Sequence, residues 1–122
     1  MYMEVDKMIR SWGEWEVLHS LGTTKVKKLI VNSRCELSFQ RHFYRNELWY
    51  VHHGSGVVYI NFSDDPKDEP NEEWKLDVGV NILIPVKTWH QLINLGKDPL
   101  VIIEIQYGEK CAEEDIERRN TI

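Results

Sequence analysis

What most constrains this chain is a succession of short β-type segments with no space for helices between them. "WEVLH", "KVKKLIV", "CELSFQRH", "ELWYVHH", "GVVYINF", "EWKLDV", "NILIPV", "WHQLINL" and "LVIIEIQY" follow one another from Trp15 to Tyr107. Each is rich in β-branched and aromatic residues and is bounded by turn residues. Many strands joined only by turns predict an all-β sandwich or small barrel. Helical spacing is confined to the end, where "CAEEDIERR" (111–119) predicts a short C-terminal helix. At 122 residues the chain is sized for one domain around one core, and no repeat or linker divides residues 1–122.

One stretch departs from this pattern. "SDDPKDEPNEE" holds six acids, one lysine and two prolines between two strands. It cannot bury enough apolar surface to order itself, so residues 64–74 are expected to form a mobile acidic hairpin insertion. Its spacing matches no calcium loop, which favours a solvated tip over a cation site. The formal net charge of −5 argues against gripping phosphate backbones, so no nucleic-acid partner is expected. No apolar run reaches the length of a membrane span, and "MYMEVDKMIRSW" has no apolar signal region. The expectation is a cytoplasmic chain with no membrane partner. Cys35 and Cys111 form no CxxC pair and read as free thiols.

The chemistry concentrates in "QRHFYRNELW". On a strand Gln40 and His42 share a face, and a four-residue turn, "FYRN", lets the next strand bring Glu47 back beside them. Much later "NILIPVKTWHQLIN" delivers His90 after a turn containing proline. Buried groups of this kind need a hydrogen-bond network, solvent or a metal ion to satisfy them. An amide oxygen, two imidazoles and a carboxylate suit a divalent first-row metal, with positions left for water or substrate.

The spacing narrows the choice. The first segment reads Gln40, one residue, His42, four residues, Glu47, six residues, Gly54. The second reads Gly79, five residues, Pro85, then His90 and, after three more, Asn94. In order and spacing these resemble the two signature segments of the cupin superfamily, with glutamine where the first histidine is usual. The resemblance implies a double-stranded β-helix, a jelly-roll barrel. Arg34 and Lys87 stand where cupins commonly have glycine, and side chains there are expected to give turns of different shape.

A closer resemblance is to the cupin domain of type II mannose-6-phosphate isomerases. "RSWGEWEVL" is similar to that family's "RPWG" opening, and "KVKKLIV" and "LSFQRH" follow at matching distances. "IIEIQYG" and "EEDIER" are similar to its "IIEVQ" strand and "EDDI.R" tail, so the likeness runs from Arg10 to Arg118. The family's domain usually follows a mannose-1-phosphate guanylyltransferase domain, and only the isomerase half is expected here. Its tail continues with an "F.D.YGR" segment, where this chain reads "RRNTI".

The resemblance implies a metal site of Gln40, His42, Glu47 and His90, with zinc expected and manganese, cobalt, nickel or iron as other occupants. It also implies a sugar-phosphate pocket with Lys27 and Arg118, and Arg10 at the mouth. The reaction implied is conversion of mannose 6-phosphate to fructose 6-phosphate, a metal-dependent aldose–ketose isomerisation. It needs a base to carry a proton between two carbons, and the candidates are Glu104, on one face with Gln106, and Lys27. Lys27, Glu104 and Arg118 are thus the candidate catalytic residues. A non-catalytic sugar-phosphate-binding cupin and a metal-dependent cupin oxygenase are the competing readings. Trp12, Trp49 and Trp89 read as core or rim aromatics, and His52 and His53 as residues flanking a turn. Sheet edges need protection, so a homodimer is expected.

Overall fold

The structure is a computed structural model that describes residues 6–63 and 72–119. Eleven strands run through them: β1 (Lys7–Arg10), β2 (Gly13–Leu21), β3 (Thr24–Val31), β4 (Phe39–Arg41), β5 (Arg45–His53), β6 (Gly56–Asn61), β7 (Glu72–Leu76), β8 (Asn81–Ile84), β9 (Trp89–Ile93), β10 (Leu100–Gly108) and β11 (Glu117–Arg119). They form two sheets, ordered β1-β2-β3-β10-β5-β8 and β11-β4-β9-β6-β7, and every pairing is antiparallel. The all-β expectation holds. No described helix is long and apolar enough to cross a membrane.

Period-two alternation sends one face of each strand inward. On β3 the buried residues are Lys25, Lys27, Leu29 and Val31, and on β5 they are Arg45, Glu47, Trp49 and Val51. On β10 they are Leu100, Ile102, Glu104 and Gln106. Register aligns the changes from apolar to polar: Lys27 lies opposite Glu104, and Gln106 lies between Lys25 and Glu47. One end of the interior is therefore apolar, filled by Leu29, Val31, Val51, Val58, Leu92, Leu100 and Ile102 among others. The other end is charged. That division places the site.

The turns of the two spacing motifs are built as their residues dictate. Gly54 has φ 84° and Gly79 has φ 89°, left-handed conformations that favour glycine. A Cβ on Gly54 would also fall 2.4 Å from the Pro99 carbonyl oxygen. Asn94 staples its loop, its amide nitrogen donating to the carbonyls of Val31 (2.9 Å) and Asp98 (2.8 Å) while its oxygen accepts from Gly96 N–H.

Two expectations change, and a third falls largely outside the described residues. The predicted helix over 111–119 does not form, and the described part of the segment is a turn followed by β11. Tertiary demands take its polar groups: Ala112 and Asp115 give their carbonyls to Arg45 and His42, and β11 adds to the sheet beside β4. Arg34 and Lys87 do not reshape their turns, because both adopt the left-handed backbone themselves, with φ 59° and 64°. Of the expected insertion over 64–74, residues 64–71 lie outside the described residues, while Glu72–Trp74 is already strand β7. Cys35 and Cys111 are free, and His52 and His53 are exposed.

Candidate metal centre

His42 follows β4, Glu47 lies on β5 and His90 on β9, so both sheets contribute to the cluster. All three are buried, with Nε2 of His42 3.2 Å and Nε2 of His90 3.8 Å from the two oxygens of Glu47. Donors about 2 Å from one ion stand at such separations. The ring orientations follow from backbone carbonyls. His42 Nδ1 is 2.6 Å from the Asp115 oxygen and His90 Nδ1 is 2.9 Å from the Thr88 oxygen. A carbonyl only accepts, so both Nδ1 atoms carry the proton and both Nε2 atoms present lone pairs to Glu47. His90 Nε2 is buried with no hydrogen-bond partner among the described residues. An orphaned imidazole lone pair aimed at a carboxylate is what a divalent ion would satisfy, so the cluster fits a metal.

Electrostatics keeps these donors ready. Burial pushes His90 down to about 4 and lowers His42, so both rings stay neutral near neutral pH. Burial alone would raise Glu47, but His42, Arg45 and His90 outweigh it and hold the carboxyl at about 2. Trp49 Nε1 donates to Glu47 Oε1 at 3.1 Å. Gln40 pairs with His90 across β4 and β9 and lines the same cavity, its amide oxygen accepting from Ser38 Oγ at 2.9 Å.

That cavity, about 350 Å³, gathers most of the residues the sequence singled out: Arg10, Lys27, Gln40, His42, Glu47, Glu104 and Arg118. His90 belongs to the cluster but does not line the cavity. Lys27 is buried over the Trp15 ring, 3.9 Å from the centroid, and donates to both oxygens of Glu113 at 2.9 and 3.1 Å. Glu104 is buried, accepts from Gln106 Nε2, and is pushed up to about 7 by burial and the Glu47 charge against the pull of Lys27 and Arg45. Arg10 and Arg118 are exposed at the rim. Trp12 lines the cavity, Trp49 is in the core, and Trp89 stacks outside the smaller sheet beside Arg41 and Arg119.

Sequence reasoning missed four participants. Arg45 donates through Nε to Glu47 Oε2 at 2.9 Å, and its Nη2 forms an ion pair with the same oxygen at 2.8 Å. Lys25 stands 3.8 Å from Glu113. Asp115 accepts from the amides of Phe43 and Tyr44 at 2.9 and 3.0 Å. Parity carried a signal for Arg45 and Lys25, which share faces with Glu47 and Lys27, but nothing local marked Glu113 or Asp115.

Two sheets enclosing a histidine–carboxylate cluster define a cupin, and solved structures agree on the fold. CapF from Staphylococcus aureus, a capsular polysaccharide assembling protein, superposes with TM-score 0.79 at 22% identity over 94% of this chain and 32% of its own. A sugar phosphate isomerase from a cupin superfamily, from Silicibacter pomeroyi, gives TM-score 0.64 at 15% identity over 77% of this chain and 58% of its own. The chain belongs to the mannose-6-phosphate isomerase C-terminal family, which matches residues 2–121. Curated relatives include the alginate biosynthesis protein AlgA of Pseudomonas aeruginosa, 34% identical over 92% of this chain and 21% of the relative. A mannose-1-phosphate guanylyltransferase of Salmonella muenchen is 31% identical over 92% of this chain and 22% of the relative. The chain thus spans about a fifth of the length of these relatives.

Proposed function

We propose that this chain is a metal-dependent aldose–ketose isomerase acting on a sugar phosphate, with mannose 6-phosphate and fructose 6-phosphate as the pair interconverted. The observation that carries the reading is the shared cavity, lined by His42 and Glu47 of the His42–Glu47–His90 cluster together with a buried carboxyl and buried or rim cations. Gln40, His42, Glu47 and His90 would hold the ion, zinc in the first instance. A bound divalent ion would draw negative charge onto the sugar oxygens during proton transfer.

The remaining work falls to side chains. Glu104 collects the proton from one sugar carbon and returns it to the next, and a carboxyl at about 7 is suited to both tasks near neutral pH. Gln106 fixes it by donating to one oxygen. Lys27, Arg118 and Arg10 hold the phosphate by charge-assisted hydrogen bonds, Lys27 exchanging its Glu113 partner for the ligand. A homodimer belongs to the same reading, since among the described residues β8 has no strand on its outer side and Leu48 and Leu83 are exposed side by side there. A sedimentation mass of one chain would remove that part.

The test is a coupled assay for fructose 6-phosphate with Zn²⁺, Mn²⁺ or Co²⁺ added to purified protein. Turnover that disappears in Glu104→Gln supports the reading, whereas demonstrable metal binding with no turnover removes it. A second reading, a non-catalytic sugar-phosphate-binding cupin, draws support from the Lys27–Glu113 pair, which already satisfies the buried cation. It predicts thermal stabilisation by mannose 6-phosphate without product.

A further inference from the structure

This inference rests on reading His42, Glu47 and His90 as a metal centre, and it concerns the guanidinium already among them. Arg45 is 5% exposed and points inward from β5, two residues before Glu47. Its Nε and Nη2 reach Glu47 Oε2 at 2.9 and 2.8 Å, its Nη2 lies 3.3 Å from His42 Nε2, and its Nη1 donates to the Ala112 oxygen at 3.0 Å.

The decisive atom is His42 Nε2. With the ring proton on Nδ1, facing the Asp115 carbonyl, Nε2 has one lone pair in the ring plane. An Arg45 N–H is directed at that lone pair. A metal ion needs the same electrons, and the two cannot share them. At Glu47 Oε2 the competition is milder, because a carboxylate oxygen has further acceptor capacity. His90 Nε2, by contrast, has no partner among the described residues.

We propose that Arg45 is a resident cation that orders His42 and Glu47 in the metal-free chain and must release them for an ion to bind. Two consequences follow. The buried Glu47 carboxylate is compensated without metal, so the fold does not depend on an ion. Metal affinity is reduced in proportion to the time the guanidinium spends on its acceptors. The released guanidinium has places to go, since Nη1 is already anchored on Ala112 and the charges of Glu104 and Glu113 both act on it.

A purely structural Arg45 and a competing Arg45 predict opposite signs. Removing a strut would loosen the ligands and weaken metal binding, whereas removing a competitor strengthens it. The experiment titrates Co²⁺ into the chelator-treated full chain, read by visible absorption and by thermal shift, for wild type, Arg45→Met, Arg45→Lys and His90→Ala. Arg45→Met is expected to melt lower than wild type before metal is added and to bind Co²⁺ at least tenfold more tightly. Arg45→Lys, a point charge without the planar fork, is expected to gain affinity by a smaller factor. If wild type binds Co²⁺ and both arginine variants bind equally or less tightly, the inference is overturned and the metal reading stands. If no protein binds Co²⁺, or His90→Ala binds as wild type does, both are overturned. Should Arg45→Met fail to fold, the sign for Arg45→Lys decides.

Discussion

Glu104 shows how a single position acquires chemistry from its surroundings. It occupies an inward position on β10, between Lys27 and Trp49 in register, on the face that Leu100 and Ile102 fill with apolar side chains further along the strand. Burial and the Glu47 charge push its carboxyl up to about 7 from the 4.5 of an unstructured glutamate. The sign of the resulting pH dependence is fixed. Because the folded value is raised, Glu104 contributes its full stability below about pH 4.5 and loses it as pH climbs through about 7. His42 and His90, both lowered, act in the opposite sense, their stability being lost as pH falls below the usual histidine range. A single-protein pH curve mixes the two, so a difference is needed. In chelator-treated protein, urea unfolding should show Glu104→Gln gaining on wild type between pH 5 and pH 8 by an amount on the order of 3 kcal/mol. A gap that stays constant across that interval would mean that Glu104 titrates normally.

At the scale of elements, the connection from β10 to β11 matters more than its length suggests. Its Ala112 carbonyl holds Arg45, its Glu113 holds Lys27, and Asp115 orients His42 while receiving two amides of the β4–β5 turn. Replacing Asp115 by Ala removes two charge-assisted hydrogen bonds and should lower stability by about 1.5–3 kcal/mol in urea denaturation. It should also weaken Zn²⁺ or Co²⁺ affinity roughly 10–100-fold in a competition titration, because the carboxylate pins the Phe43–Tyr44 backbone that follows His42, and without it the ring is held less firmly against the Asp115 carbonyl, which the substitution leaves in place. This connection is also where sequence reading was weakest. Strands β2 to β10 were legible because alternation is a local signal, and the ligand candidates because their spacing is fixed within two short segments. Arg45 was legible by parity with Glu47 and was passed over because its neighbours were read only for ligands. Glu113 and Asp115 were not legible, since their partners lie 86 and 72 residues away and their own segment spells a helix. The left-handed backbones of Arg34 and Lys87 escaped for a related reason: sequence states a preference, and the connections that carry the chain from one sheet to the other, β3 to β4 and β8 to β9, overrule it.

For the molecule as a whole, the division of the interior separates stability from chemistry. Ile102 is fully buried at the apolar end of the strand that carries Glu104 and Gln106 at the other. Ile102→Ala should cost about 2–5 kcal/mol of unfolding free energy. The stoichiometry of bound Co²⁺ should stay that of wild type at temperatures where the variant is folded, and a lost ion would show that the two ends are not independent. Gly54→Ala tests the frame more severely, because its φ of 84° disfavours a side chain and the new Cβ would meet the Pro99 carbonyl. A loss of about 2–4 kcal/mol is expected, read as a lowered urea midpoint.

Ala112 and Glu113 are consecutive residues, yet one tethers the cation beside the histidines and the other the lysine that would meet an anion. On the proposed reading, two occupants of opposite charge would therefore draw on adjacent links of one chain, and the entry of either would be expected to alter the hold on the other. Thermodynamic reciprocity then requires that whatever factor an ion imposes on the grip for a phosphate, the phosphate imposes on the ion.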